Sequence, residues 1–374
     1  MTVTFDEIGI NVEYACFAPE GKVCEWHAIF HVMPRHDSYA DQLSRLLEAE
    51  NLFLNDGRVA IFRRYYLSDI MNQMDMLRDA LGEQYSQHCV SAIQQPPLDG
   101  SKIALWMYGT TAADSDGKQK GMPAYTHHWQ FDMMSDAEDS ASQTTDILTR
   151  YEAMLREKGL TMAENCIRTW FYVRDVDTQY KGMVVARREN FMDEGLTPAT
   201  HYLASTGIGG TPAKQNAILQ YSAYAISGIQ PQQQKYLYAL DHLNKTIDYG
   251  VTFERGTLVE YGDRGHIFIS GTASIDNKGE VVHVGDIVNQ TLRMWENVES
   301  LLSEGGMGWQ NVMQIIVYLR DIADTEVVSK MFEERFPDTP YLITQAPVCR
   351  PAWLIEMECI AIDERTRQYP DYVN

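Results

Sequence analysis

The chain has 374 residues, with 31 Lys and Arg against 52 Asp and Glu, a formal net charge of −21. That length suggests two or three domains, and an apolar fraction of 45% supplies a packed core and excludes a largely disordered chain. The acidic balance argues against nucleic acid, whose phosphates need Lys and Arg, and against anionic membranes. No stretch reaches the roughly 18 apolar residues of a membrane-spanning helix. The start, Met1 to Glu7, is acidic and lacks the basic and apolar regions of a signal peptide, so a cytoplasmic location is expected. Cysteines at 16, 24, 89, 166, 349 and 359 form no C-x-x-C and read as reduced thiols. The histidines do not cluster with ligand spacing, so no metal and no cofactor are expected.

In chain order, the first pattern is a helix opened by Gln42 with Leu43, Leu46 and Leu47 on its apolar face. A strand-like run, Val59 to Phe62, closes in Tyr66-Leu67-Ser68-Asp69. A second helix near 70–84 and a last strand, Ile103 to Trp106, follow. The same order then recurs. Gln143 opens a helix with Ile147, Tyr151, Met154 and Leu155 on one face. The run Cys166 to Phe171 closes in Tyr172-Val173-Arg174-Asp175, ahead of a helix near 180–193 and the strand Ile218 to Tyr221.

A linker-like stretch with Gln230-Pro231-Gln232-Gln233-Gln234 separates this copy from a third. The third has a hairpin, His266 to Gly271 with the turn Asp276-Asn277-Lys278-Gly279. Its first helix, with Gln290, places Val288, Leu292, Trp295, Val298 and Leu302 on one face. The run Val312 to Val317 closes in Tyr318-Leu319-Arg320-Asp321. A helix near 325–336 and the strand Leu354 to Met357 complete it. A thrice-repeated α+β unit is implied: repeat 1 over 1–111, repeat 2 over 112–228, a linker over 229–254, and repeat 3 over 255–374.

The third copy resembles the Rid family (YjgF-like, endoribonuclease L-PSP-like). The residues that carry the resemblance are Phe268-Ile269-Ser270-Gly271, Gly285-Asp286, Gln290-Thr291, Glu296-Asn297-Val298, Val317 to Asp321 and Glu356 to Ala361. Rid proteins are usually homotrimers of one chorismate-mutase-like unit with sites between neighbours. The resemblance therefore implies an intrachain pseudo-trimer, with a central barrel-like sheet core, outer helices and no further trimerisation; at most a weak dimer is expected. Rid imine deaminases carry a Pro-Ala-Arg segment whose arginine holds the substrate carboxylate. Here Pro340-Tyr341-Leu342 and Pro198-Ala199-Thr200 lack it.

A longer stretch, roughly 180–362, resembles the chorismatases within that superfamily. It carries Ala204 to Gly210, Tyr249-Gly250, Phe253 to Thr257, Ser270 to Ile275 and Cys349 to Glu356. The implied activity is hydrolysis of the enolpyruvyl ether of chorismate or a related carboxylate, a small anionic metabolite. The alternatives are a Rid-like imine or enamine deaminase with a changed carboxylate clamp, and a non-catalytic metabolite-binding protein.

That chemistry needs a proton donor and cationic clamps. Glu356 is the candidate acid, set in the apolar run Trp353-Leu354-Ile355-Glu356-Met357, where an unpaired carboxylate is costly unless protonated. The alternative is a solvent-facing carboxylate sharing its face with Glu358. Aligning the copies places Gln220 and Ala104 opposite Glu356, as if one of three ancestral sites keeps the acid. Arg255 is the candidate clamp, with Arg350 for a second carboxylate. Arg187 is expected to reach across a repeat interface; it or its neighbour Arg188 instead lies on a solvated helix face. Tyr249 is a candidate hydrogen-bonding residue, Cys349 a lining residue rather than a nucleophile, and Gly207 a point of close backbone approach.

Overall fold

The computed structural model describes residues 1–33, 35, 37–55, 57–87, 89–111 and 124–372. Unit 1 comprises β1 (Thr2–Phe5), β2 (Ile10–Phe17), β3 (Glu25–Val32), α1 (Tyr39–Leu54), β4 (Arg58–Leu67), α2 (Ile70–Leu81), α3 (Glu83–Gln87), β5 (Cys89–Gln94) and β6 (Ile103–Thr111). Unit 2 comprises β7 (Thr126–Met133), α4 (Ser140–Glu157), α5 (Met162–Asn165), β8 (Cys166–Val173), α6 (Val176–Asp193), β9 (Ala204–Gly209) and β10 (Leu219–Ser227). Unit 3 comprises β11 (Gln234–Leu237), β12 (Gly256–Glu260), β13 (Arg264–Ala273), α7 (Ile287–Glu304), β14 (Val312–Leu319), α8 (Thr325–Arg335), β15 (Tyr341–Gln345) and β16 (Ile355–Glu364).

Each unit has its own sheet, in the orders β1-β2-β3-β6-β4-β5, β7-β10-β8-β9 and β11-β12-β13-β16-β14-β15. In each, one parallel pair (β4 with β5, β8 with β9, β14 with β15) is joined by a helical crossover. The stretch read as a linker supplies the edge strand β11, which pairs antiparallel with β12. The expected central barrel takes another form. The described strands make three separate sheets, linked through isolated bridges: Ala204 with Glu254, and a head-to-tail set of Gln94 with Thr211, Ile208 with Val348, and Thr344 with Pro97. These run from unit 1 to 2, 2 to 3 and 3 to 1, so the head-to-tail contacts close within one chain.

The repeated residues have structural work. Gln42 Oε1 accepts from Lys102 N–H at 2.8 Å, Gln143 Oε1 from Ile218 N–H at 2.8 Å, and Gln290 Oε1 from Leu354 N–H at 2.9 Å. All three glutamines are buried, and each amide latches its helix to the chain entering the last strand. Each repeated aspartate ends its strand just ahead of a helical turn. Tyr66, Tyr172 and Tyr318 are fully buried in one cluster drawn from all three units. Arg64 reaches the same centre, its guanidinium 4.8 Å from the Trp170 ring and 5.4 Å from that of Tyr172.

Two expectations are corrected. On α7 the buried apolar stripe is Met294, Trp295, Val298, Leu301 and Leu302, while Val288 and Leu292 are exposed. Both residues lie early on the helix, where the i, i+3, i+4 pattern begins one position away from the face that meets the sheet. Cys16 and Cys24 are not reduced thiols but a disulfide, because the β2–β3 hairpin brings their Cα atoms to 6.7 Å.

Candidate active site

A cleft of about 500 Å³, its open mouth included, lies between units 2 and 3. Unit 3 lines it with Glu356 at the start of β16, with Gly271 and Ala273 of β13, and with Cys349, Arg350 and Trp353 of the turn entering β16. Arg255 and Phe253 come from the chain ahead of β12, and unit 2 supplies Ser205 and Gly207 of β9 with Tyr180 and Arg187 of α6. Six residues singled out from the sequence, Glu356, Arg255, Arg187, Arg350, Cys349 and Gly207, therefore share one cavity. The seventh, Tyr249, has its backbone in the single turn Thr246–Tyr249, and its side chain lies outside the described residues.

Glu356 is 5% exposed, because the unit 2 surface covers the strand face that alternation alone would assign to solvent. Its place in the register is set by the repeated tyrosines. Tyr318 pairs with Glu356, Tyr172 with Gln220 and Tyr66 with Ala104, so these three positions are structural counterparts. Burial, then the nearby Glu358 charge, pushes the Glu356 carboxyl up to about 8, against the opposing pull of Arg168 and Arg255. The carboxyl lies against the Gly271 backbone; a methyl group there would stand 2.2 Å from Oε1, so glycine makes room for the acid.

Glu358, two residues on and on the same face, is also buried but fully engaged. It accepts from Arg168 at 2.8 Å, from Trp170 Nε1 at 2.8 Å and from Thr206 Oγ1 at 2.5 Å. Two carboxyls on one strand thus have different environments: one is tied into an ion pair with Arg168, the other is desolvated and favoured as the neutral acid.

The cationic side chains converge from both units. Arg255 is 3% exposed, and its guanidinium donates to the Asn244 side-chain oxygen at 3.1 Å. Arg187 is buried, 5.5 Å from the Phe171 ring, whereas Arg188 is exposed. Arg350 lies over the Trp353 ring at 5.0 Å. The Trp353 indole donates to Ser274 O at 2.9 Å, which fixes that wall. Burial pushes the Cys349 thiol up to about 12, so it lines the cleft as a thiol and not as a thiolate nucleophile. Gly207 meets Tyr180; a Cβ added there would stand 3.0 Å from the ring. Tyr180, Ser205 and Phe253 were missed as lining residues. Ser205 and Phe253 lie inside stretches that carry the family resemblance, which was the available signal, whereas nothing in the local sequence marks Tyr180; unit packing brings all three into the cleft with Glu356.

The counterpart position between units 1 and 2 is filled. Asp132 immediately precedes Met133, which pairs with Tyr221, just as Gly271 immediately precedes Thr272, which pairs with Met357. Its carboxyl accepts from Ser91 Oγ at 2.7 Å, Ala92 N–H at 3.0 Å and Gln220 Nε2 at 2.7 Å. By strand register Ser91 and Ala92 correspond to Thr206 and Gly207. In this sister site Asp132 thus puts a carboxyl at the register of Gly271, whose side-chain space in unit 3 is taken by the Glu356 carboxyl itself.

Comparison with known proteins places these units. Residues 258–363 match the family described as Endoribonuclease L-PSP. A RutC family protein of Pyrococcus abyssi is 37% identical over 101 residues, covering 26% of this chain and 79% of the relative. A 3-hydroxybenzoate synthase of Streptomyces hygroscopicus is 25% identical over 285 residues, covering 69% of this chain and 81% of the relative. A chorismatase crystal structure superposes with a TM-score of 0.62 at 18% identity, covering 81% of this chain and 92% of that one. The chain belongs to the RutC family of Rid (L-PSP endoribonuclease-like) proteins, and its three-unit fold is that of a chorismatase.

Proposed function

We propose that this protein is a chorismatase-type hydrolase acting on the enolpyruvyl ether of chorismate or a close analogue. The observation that carries the reading is Glu356: a carboxyl pushed up to about 8, in a cleft that Arg187, Arg255 and Arg350 also line. Glu356, as the neutral acid, gives its proton to the methylene carbon of the enol ether. The electron pair of the C=C bond forms the new C–H bond, and the ether carbon becomes an oxocarbenium. Water, or the substrate's own ring hydroxyl, attacks that carbon. After attack by water, the hemiketal collapses by breaking the bond between that carbon and the ring-borne oxygen, which takes up a proton as pyruvate leaves. After attack by the ring hydroxyl, which gives up its proton, the cyclic ketal releases pyruvate by breaking that same bond and the attacking oxygen's own bond to the ring, and loss of a ring proton makes the ring aromatic. Addition of water leaves a ring diol, and a route without net water leaves a hydroxybenzoate; the 3-hydroxybenzoate synthase relative favours the second.

The arginines supply the cationic frame for two carboxylates. Where Asp132 takes hydrogen bonds from Ser91 and Ala92, a substrate carboxylate in the open cleft is expected to take the Gly207 N–H. Incubation with chorismate should release pyruvate at one equivalent per substrate consumed, with the ring product identified by chromatography. Saturable binding without pyruvate would overturn the hydrolase reading in favour of a binding protein.

A second reading is an imine or enamine deaminase. It is favoured by 32% identity over 98 residues, 25% of this chain and 77% of the relative, to a 3-aminoacrylate deaminase RutC of Acinetobacter baylyi. Ammonia release from 3-aminoacrylate or 2-imino acids, exceeding pyruvate release from chorismate, would select it.

A further inference from the structure

The third inter-unit position, where unit 3 meets unit 1, holds an open cleft of about 1090 Å³ with its mouth included. It is the topological counterpart of the cleft beside Glu356. His31 faces Ala104 as Ala273 faces Glu356. Tyr341 and Ile343 of β15 occupy the register of Ser205 and Gly207 of β9, counted from Tyr318 and Tyr172. On the adjoining helices, Glu333 and Arg187 stand at the same separation from the repeated aspartates Asp321 and Asp175. His31, Tyr341, Ile343 and Glu333 line this cleft as Ala273, Ser205, Gly207 and Arg187 line the other.

The chemistry of the two clefts is opposite. The acid of β16 has become Ala104, and Arg187 has become Glu333. The carboxylates here are Glu13, Asp99 and Glu333, with His31 lying 3.3 Å from Asp99 and 3.9 Å from Glu13. Even with His31 protonated, three carboxylates face one cation. The floor is apolar, built from Val32, Leu342 and Ile343. A concave site with an apolar floor and one sign of charge concentrates ligands of the other sign.

We propose that the cleft between units 1 and 3 is a second binding site, for a small organic cation: an ammonium group seated among Glu13, Asp99 and Glu333, with an apolar body against Ile343. The site derives from the same ancestral interface as the Glu356 cleft and has exchanged anion for cation recognition. It stands apart from the reaction proposed above and needs no turnover.

The test is calorimetric titration of the full chain with benzylammonium, and with benzoate as its anionic counterpart. Benzylammonium should saturate one site below about 10 mM, a weak site by affinity. Glu333→Arg, on an exposed helix position, should weaken that binding by about tenfold or more, and Glu13→Gln should weaken it in the same direction. Benzoate binding, if seen, should be indifferent to Glu13→Gln. Failure of benzylammonium to saturate, or equal affinity in wild type and both variants, would overturn the proposal. Because the readout is binding and not pyruvate, its failure is distinct from failure of the hydrolase reading.

Discussion

Glu356 and Glu358 show how two identical side chains on one strand face acquire separate roles. The Glu356 shift is upward from 4.5 to about 8, so the fold favours the neutral acid. Its contribution to stability is complete below the unfolded value of 4.5 and is lost as pH rises through about 8. Under the hydrolase reading proposed above, activity is expected to follow the same proton. The kcat/KM of the wild type should fall on the basic side with a midpoint near 8. Glu356→Gln should lower turnover by about 10²–10⁴-fold and abolish that limb, while melting at or above the wild-type temperature at alkaline pH. A wild-type rate for the variant would remove Glu356 from the mechanism. Glu358→Gln should act differently. It leaves the buried Arg168 guanidinium uncompensated, at a cost of about 3 kcal/mol or more, seen as a lower melting temperature. It also withdraws a charge that raises the Glu356 carboxyl, so the basic limb should move to lower pH in the molecules that remain folded. A variant with unchanged melting and an unchanged limb would contradict the ion-pair assignment.

At the scale of elements, the glutamine latches explain why so polar a residue recurs at the buried start of three helices. Gln290 accepts from Leu354 N–H and donates to Ala352 O at 2.8 Å, gripping the turn that carries Cys349, Arg350 and Trp353 into β16. Gln290→Leu keeps the volume but strands both backbone groups in the interior. It should cost about 1–3 kcal/mol for the unsatisfied groups. Because the latched turn lines the Glu356 cleft, KM for the substrate should rise along with the loss of melting temperature. Gln42→Leu, with the same chemistry in unit 1, should lower the melting temperature while leaving KM unchanged. Equal effects on KM from both variants would show that the latch does not act on the site locally.

For the whole molecule, three of the bridges between units run in a cycle and close it. Each unit's exposed interface is met by another unit of the same chain, including the parallel strand edges at β5, β9 and β15. We therefore expect a monomer of 42.7 kDa by light scattering at micromolar concentration. A particle of three times that mass would show that the intrachain ring is not the functional assembly. The same closure frees the three inter-unit positions from identity. In a homotrimer they must be alike, whereas here one holds Glu356, one is filled by Asp132 and one is lined by Glu13 and Glu333.

The repeat was readable from residues alone because local forces write it locally. The strand–helix order follows from hydrophobic period, the Tyr-x-x-Asp endings mark the three copies where strands give way to helical turns, and aligning Ile226 with Ile362 in the last strands sets Gln220, and in the first copy Ala104, opposite Glu356. What packs against those elements was not readable. Alternation in β16 cannot say that unit 2 buries the face carrying Glu356, nor that Glu358 finds its partner in Arg168, 190 residues earlier. The exposed Val288 and Leu292 on α7, the edge strand inside the supposed linker and the Cys16–Cys24 bond belong to the same class. A sequence specifies which residues share a face, since that is set by the backbone period. Which face is desolvated, and therefore which carboxyl keeps its proton, is decided by the neighbour that covers it, and that neighbour comes from another part of the chain.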